Sequence, residues 1–281
     1  MSTTSSSLRL MSIGLAGAAA LVFTQSPAGA QQANGTHSGP KLHVNPRWKE
    51  CSIMLDPSLT QEAWRQFTGE AGVVVYFRPL VDAAPMGAGR FELSLVQWKT
   101  GIDDHDAAWN DTFVHPDSTH WLFEGHGLAF PGLTLRAGVT DRIDVAAYFT
   151  KNQNANYGFY GGQVQHALLG DRQSKWAASA RVSFVSLFGP EDVDLTVYGI
   201  DFVASRKVMV TRQASIAPYA VLTGSLSRSH EKSAVVNLAD ESVWGAQATV
   251  GVAAQFLAAR VAAEYMVARV PSFSLKVGVG L

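Results

Sequence analysis

The sequence is poor in most of what soluble enzymes carry. One cysteine, Cys51, in 281 residues excludes an internal disulfide and a cysteine-based zinc site. Charged residues make up 16%, well below the roughly 25% of an ordinary soluble domain. With 22 Lys+Arg against 23 Asp+Glu the formal charge is −1, which leaves no electrostatic footprint for a nucleic-acid partner. Long apolar runs are missing beyond residue 30, and a mean hydropathy of +0.06 is too low for a bundle of membrane helices. The longest uncharged stretch there, Ser242 to Ala259, puts Trp244, Ala246, Ala248, Val250, Val252, Ala254 and Phe256 on one parity. Gly245, Gln247, Thr249, Gly251, Ala253 and Gln255 fall on the other. A period of two makes a strand with one greasy face.

What is present begins with a targeting segment. Arg9, an apolar core from Leu10 to Phe23, Pro27 and the small triplet Ala28-Gly29-Ala30 read as a secretory signal over 1–30, cleaved after Ala30. The apolar core is too short for a spanning helix. Residues 31–70 form a polar lead-in followed by a short helix. In that helix Ser58 and Gln61 have capping-box spacing, Leu59, Ala63 and Phe67 share a face, and Gly69 is the stop. Residues 71–281 are expected to be the main domain.

That domain is a succession of two-period segments: Arg90–Trp98, Leu133–Thr140, Ile143–Phe149, Tyr157–Leu169, Lys175–Leu187, Asp192–Ala204, Val208–Gly224, Ser242–Gln255, Ala258–Val267 and Ser272–Leu281. The reading is all-β, an antiparallel up-and-down transmembrane barrel of about ten strands. It becomes twelve if Val73–Leu80 and a strand near Trp121 join the wall. Tight joins near Asp141, Asp171, Arg206 and Leu257 alternate with connections that are mostly longer and polar, the pattern of periplasmic turns and outer loops. Trp244 and Phe256 lie roughly 28 Å apart along a membrane normal, which suits an apolar band with an aromatic girdle at each rim.

The segments GRFELSL, LTLRAGVTDRIDVAAYFT, ANYGFYGGQVQHALL, SIAPYAVLTG and FSLKVGVGL, spread from Pro85 to Leu281, resemble the small outer-membrane β-barrel proteins of Gram-negative bacteria, porin-like and transporter-like ones included. The resemblance implies fold, location in the outer membrane and lipid as a partner. It also implies insertion machinery that reads the C-terminal strand, although Leu281 stands where such strands usually end in Phe. It carries over no catalytic residue.

If the apolar parity faces lipid, the other lines a lumen. There the sequence places Glu92, Arg136, Asp144, Arg181, Arg260, Glu264 and Lys276, with Gln163, Gln165 and Gln247 among them. In so narrow a barrel, pairs such as Arg136 with Asp144 are expected as internal struts, the other reading being a charged, water-filled constriction. The stretch from Lys99 to Pro131 holds Asp103, Asp104, His105, Asp106, Asp111, His115, Asp117, His120 and His126. Their spacing matches no metal motif, so no metal or cofactor is expected. Trp98, Trp109 and Trp121 around it are interface anchors or loop packing. Ten-stranded omptin-like proteases use paired acids and a histidine, but adjacent residues on one loop cannot assemble such a site. Ser227, Ser229 and His230 supply the residue types of a lipase without its motif. The leading expectation is a passive pore or a carrier for small solutes or lipophilic molecules, with the N-terminal helix as a plug. A non-conducting structural or surface-interaction barrel is the alternative, and an outer-membrane hydrolase comes third.

Overall fold

A computed structural model describes residues 52–78, 80–103, 106–114, 128–151 and 155–281. The chain divides into two units, Met1–Thr36 and His37–Leu281. The first, with the signal segment, lies outside the described residues, as does the strand expected near Trp121. In chain order the elements are β1 (Ser52–Ile53), α1 (Gln61–Val75), β2 (Phe91–Thr100), α2 (Ala107–Asn110), β3 (Phe113–Val114), β4 (Leu128–Gly138), β5 (Ile143–Lys151), β6 (Gly158–Leu169), β7 (Trp176–Phe188), β8 (Val193–Arg206), β9 (Val208–Met209), β10 (Ala214–Glu231), β11 (Glu241–Phe256), β12 (Ala259–Val267) and β13 (Ser272–Gly280).

Ten of these strands pair antiparallel in the order β2-β4-β5-β6-β7-β8-β10-β11-β12-β13. The last returns to β2 through Gly280↔Glu92 and Phe273↔Lys99, so the sheet is a closed barrel without edges. β9 adds two residues beside β10 at one rim, and β1 pairs with β3 as a separate ribbon. The joins 139–142, 170–175, 207–213 and 257–258 gather at one end, here the tight-turn end. The opposite, long-loop end carries the described residues 101–103, 106–114 and 155–157 of two connections, with 189–192, 232–240 and 268–271. Among the described residues no helix is long and apolar enough to cross a membrane, which says nothing of strands.

Alternation fixes which way each strand faces. Leu93, Leu95, Leu135, Phe184, Ile200, Leu222, Val250 and Val277 stand exposed on the outer wall. The inner wall has two zones. In the long-loop half it is apolar along one side, with Val96, Trp98, Tyr148, Phe159, Val185, Leu195, Val197 and Met266 buried, and small and polar along β10 and β13, with Ser225, Ser227, Ser229, Ser272 and Ser274 buried. In the tight-turn half it carries the charged and amide residues.

The apolar zone exists because α1 lies against it. The helix runs inside the barrel from the long-loop end, burying Trp64, Phe67, Ala71, Val73, Val74 and Val75. Beyond Gly69 it is apolar nearly all round, as a helix enclosed by a wall must be. This corrects three expectations. The N-cap is Thr60, whose hydroxyl accepts from the Ala63 amide at 3.2 Å, while Ser58 turns back to Asp56. Gly69 does not end the helix. With Gly72 it lets the helix approach the wall, where a Cβ on Gly72 would lie 1.6 Å from Ser227 Oγ. Val73–Leu80 is therefore the end of α1 and the start of an irregular strap, and the wall begins only at Phe91.

A further correction concerns β10. The strand starts at Ala214, after the short β9, and runs on to Glu231, through what reads in sequence as the start of a polar loop. Ser225, Ser227 and Ser229 point inward and keep the ladder with β8 and β11 up to the rim.

Candidate functional site

The lumen is occupied by the chain itself, in layers from one end to the other. At the long-loop rim Arg65 Nη1 and Gln61 Nε2 reach Glu241 at 2.7 and 2.6 Å. Gln66 Nε2 donates to Asp106, the N-cap of α2, at 2.9 Å, and Trp109 Nε1 donates to Glu70 at 2.6 Å. The segment 106–113 is thus a roof over α1, with Phe67, Trp109 and Phe113 in mutual ring contact. Trp98 is likewise packing and not an interface anchor: it points inward and donates to the Val74 carbonyl at 2.7 Å.

Below the roof, Thr68 and Ser229 hydroxyls meet at 2.5 Å. At the end of α1 the Tyr76 hydroxyl donates to Asp201 at 2.7 Å, and Thr223 donates to the same carboxylate oxygen. Arg181 Nε lies 3.7 Å from the other oxygen of Asp201, both side chains fully buried. Arg78 donates to the Val73 carbonyl at 2.8 Å and to Ser272 Oγ at 3.1 Å.

From residue 76 to 86 the strap crosses the polar half with no ladder pairing to the wall among the described residues. Wall side chains bind its backbone instead. Glu264 accepts from the Leu80 amide at 3.2 Å and from Tyr219 at 2.9 Å. Ser205 accepts from the Ala83 amide at 3.1 Å, and Gln165 donates to the Ala83 carbonyl at 3.3 Å. Arg136 donates to the Ala84 carbonyl at 3.2 Å, while Asp144 accepts from the Met86 amide at 3.0 Å and pairs with Arg136. Lys276 and Glu92 form an ion pair at 2.6 Å, with Ser94 donating to Glu92 at 2.8 Å.

All ten residues read from the sequence as lumen-lining turn away from the outer apolar face. Glu92, Asp144, Gln163, Gln165, Arg181, Gln247, Glu264 and Lys276 are buried, while Arg136 and Arg260 are half-buried at the tight-turn end. Gln247 donates to Ser225 Oγ at 3.2 Å, and Arg260 donates to Gln255. The sequence reading missed the object that several of them hold. Its signal was legible in part, since Val96 and Trp98 put apolar side chains on the parity of Glu92, which a water-filled lumen has no use for.

Space inside is limited. A cavity of about 70 Å³ opens at the tight-turn end beside Asp82, Arg136 and Arg260, and a pocket of about 20 Å³ lies between α1 and the apolar wall. The described part of the 99–131 stretch shows no metal-holding group of three. His105, His115, His120 and His126 lie outside the described residues. Ser227 and Ser229 face inward, whereas His230 faces outward and meets Asp240 at 2.6 Å, so the three do not form a hydrolase site.

No family model matches the chain, and no curated protein matches it by sequence. Among solved structures it is similar to an outer membrane channel from Pseudomonas putida F1, with TM-score 0.40 and 11% identity over 73% of this chain and all of that one. The beta domain of the Bordetella autotransporter BrkA gives TM-score 0.39 and 10% identity over 69% of this chain and 100% of that chain. Neisserial surface protein A gives TM-score 0.28 and 13% identity, covering 69% and 97%. These are likenesses of barrel architecture, and the closed barrel here stands on its own strand pairing.

Proposed function

We propose that this chain is an outer-membrane barrel of a Gram-negative-type bacterium, closed by its own N-terminal segment, whose work is done at its ends and outer face and not through an open bore. The outer wall supports the location: Leu222 is 67% and Trp244 77% exposed, and a continuous apolar belt of this kind requires lipid beside it. The signal segment expected over 1–30 and strand β13 (Ser272–Gly280), apolar on its outer face, fit export and insertion by barrel-assembly machinery. Among the structural features, the strap from 76 to 86 carries the reading. Its backbone is bracketed by Glu264, Ser205, Gln165, Arg136 and Asp144 from β12, β8, β6, β4 and β5, which holds it across the passage from several sides.

A pore or carrier that opens by strap withdrawal is the second reading. It is favoured by the absence of ladder bonds to the strap among the described residues, which leaves side-chain contacts as its tether there. Planar-bilayer recording separates the two. The closed-barrel reading expects no conductance steps from the wild-type protein, and steady steps of wild type would overturn it. If Asp144→Ala with Glu264→Ala, still migrating as a heat-modifiable barrel, opens steps that wild type lacks, the withdrawable strap is the better account.

A further inference from the structure

We infer that the mouth of the barrel at its tight-turn end binds a tetrahedral oxyanion, a phosphate group carried free or as a monoester. The cavity of about 70 Å³ there is lined by Arg136, Arg172, Lys207, Arg260 and Lys276, against Asp82 and Glu92. Lys276 is neutralised by Glu92 and Arg136 by Asp144. Among the described residues, Arg172, Lys207 and Arg260 have no carboxylate within ion-pair distance. Three cations less the Asp82 carboxylate leave two positive charges, the complement of a dianion.

The three cations come from separate elements: Arg172 from the turn between β6 and β7, Lys207 from the join between β8 and β9, and Arg260 from β12. A solvated run of local charge would not converge in this way. Two of them are held in place. Lys207 Nζ donates to the Arg172 carbonyl at 3.3 Å, which ties the ammonium to the turn that carries the guanidinium. Gln255 accepts from Arg260 Nη1, leaving the buried Arg260 Nε without a protein partner. Guanidinium forks match the oxygens of a phosphate group, and charge-assisted bonds to it are the strong class.

The test is calorimetric titration of the mature protein in a phosphate-free detergent, with inorganic phosphate and separately with glycerol phosphate, chloride holding ionic strength constant. Saturable heat is expected with at least one probe. Arg260→Gln and Lys207→Gln should each weaken it by about tenfold, the loss that one charge-assisted bond represents. Arg228→Gln, on the exposed outer face near the opposite end, should leave it unchanged. Heat with glycerol phosphate alone would assign the site to a phosphate monoester. No saturable heat with either probe, or an equal loss in Arg228→Gln, would overturn the inference. If Arg260→Gln does not fold, Lys207→Gln decides.

Discussion

Tyr76, one residue past the last turn of α1, donates its hydroxyl to Asp201 in the middle of β8 at 2.7 Å, and its ring lies directly over Gly199 on the same strand. A Cβ at Gly199 would stand 2.3 Å from that hydroxyl. The glycine therefore leaves the room that the Tyr76 ring fills where the helix gives way to the strap, because any larger residue occupies the place of the ring.

A double-mutant cycle reads this relationship. Gly199→Ala is expected to cost about 1–3 kcal/mol, the usual range for overpacking a filled interior. In a Tyr76→Ala background the same change should cost almost nothing, since the ring it strikes is gone. Urea midpoints of the detergent-folded protein give both numbers. An equal cost in the two backgrounds would mean that Tyr76 does not pack on Gly199.

The glycines also show where the sequence was readable and where it was not. Outer and inner parities were legible, because Leu93 and Leu95 against Glu92 and Ser94 record the two environments directly. The ten wall strands were legible from the same alternation, whereas their closure through β13 and β2 is seen only in the pairing. Three other features were hidden. Gly69 has the composition of a helix stop, and only the wall beside it reveals a close approach. From Ser227 to Glu231 both parities are polar, so the rim end of β10 carries no hydropathy signal. The contacts of Lys276 with Glu92 and of Glu264 with Tyr219 depend on register between strands distant in sequence, which one sequence does not encode locally.

The Lys276–Glu92 pair, with both side chains 6% exposed, separates a structural strut from a charge kept for conduction. Lys276→Met alone should destabilise by about 3–5 kcal/mol, because it leaves a buried carboxylate without its cation. Lys276→Met with Glu92→Leu should recover most of that loss, since two apolar side chains need no partner. Midpoints of heat-modifiable migration on gels order the three proteins. A double variant as weak as the single one would remove the strut assignment.

Orientation in the membrane is read by labelling the two ends. Ser58 is exposed beside the long-loop end and Asp171 is exposed in the turn between β6 and β7 at the other. In a Cys51→Ser background, Ser58→Cys should react with an impermeant maleimide on intact cells, and Asp171→Cys should react only after the outer membrane is opened. The reverse pattern would invert the barrel.

α1 lies inside the barrel against β10, and a disulfide between the two reports that placement. Thr68 and Ser229 bring their hydroxyl oxygens to 2.5 Å, so cysteines at these positions are close enough to bridge. In a Cys51→Ser background, Thr68→Cys with Ser229→Cys should oxidise within one chain and shift gel mobility, returning on reduction. Free thiols that stay unbridged in the folded, oxidised protein would place the helix elsewhere and contradict the plugged barrel.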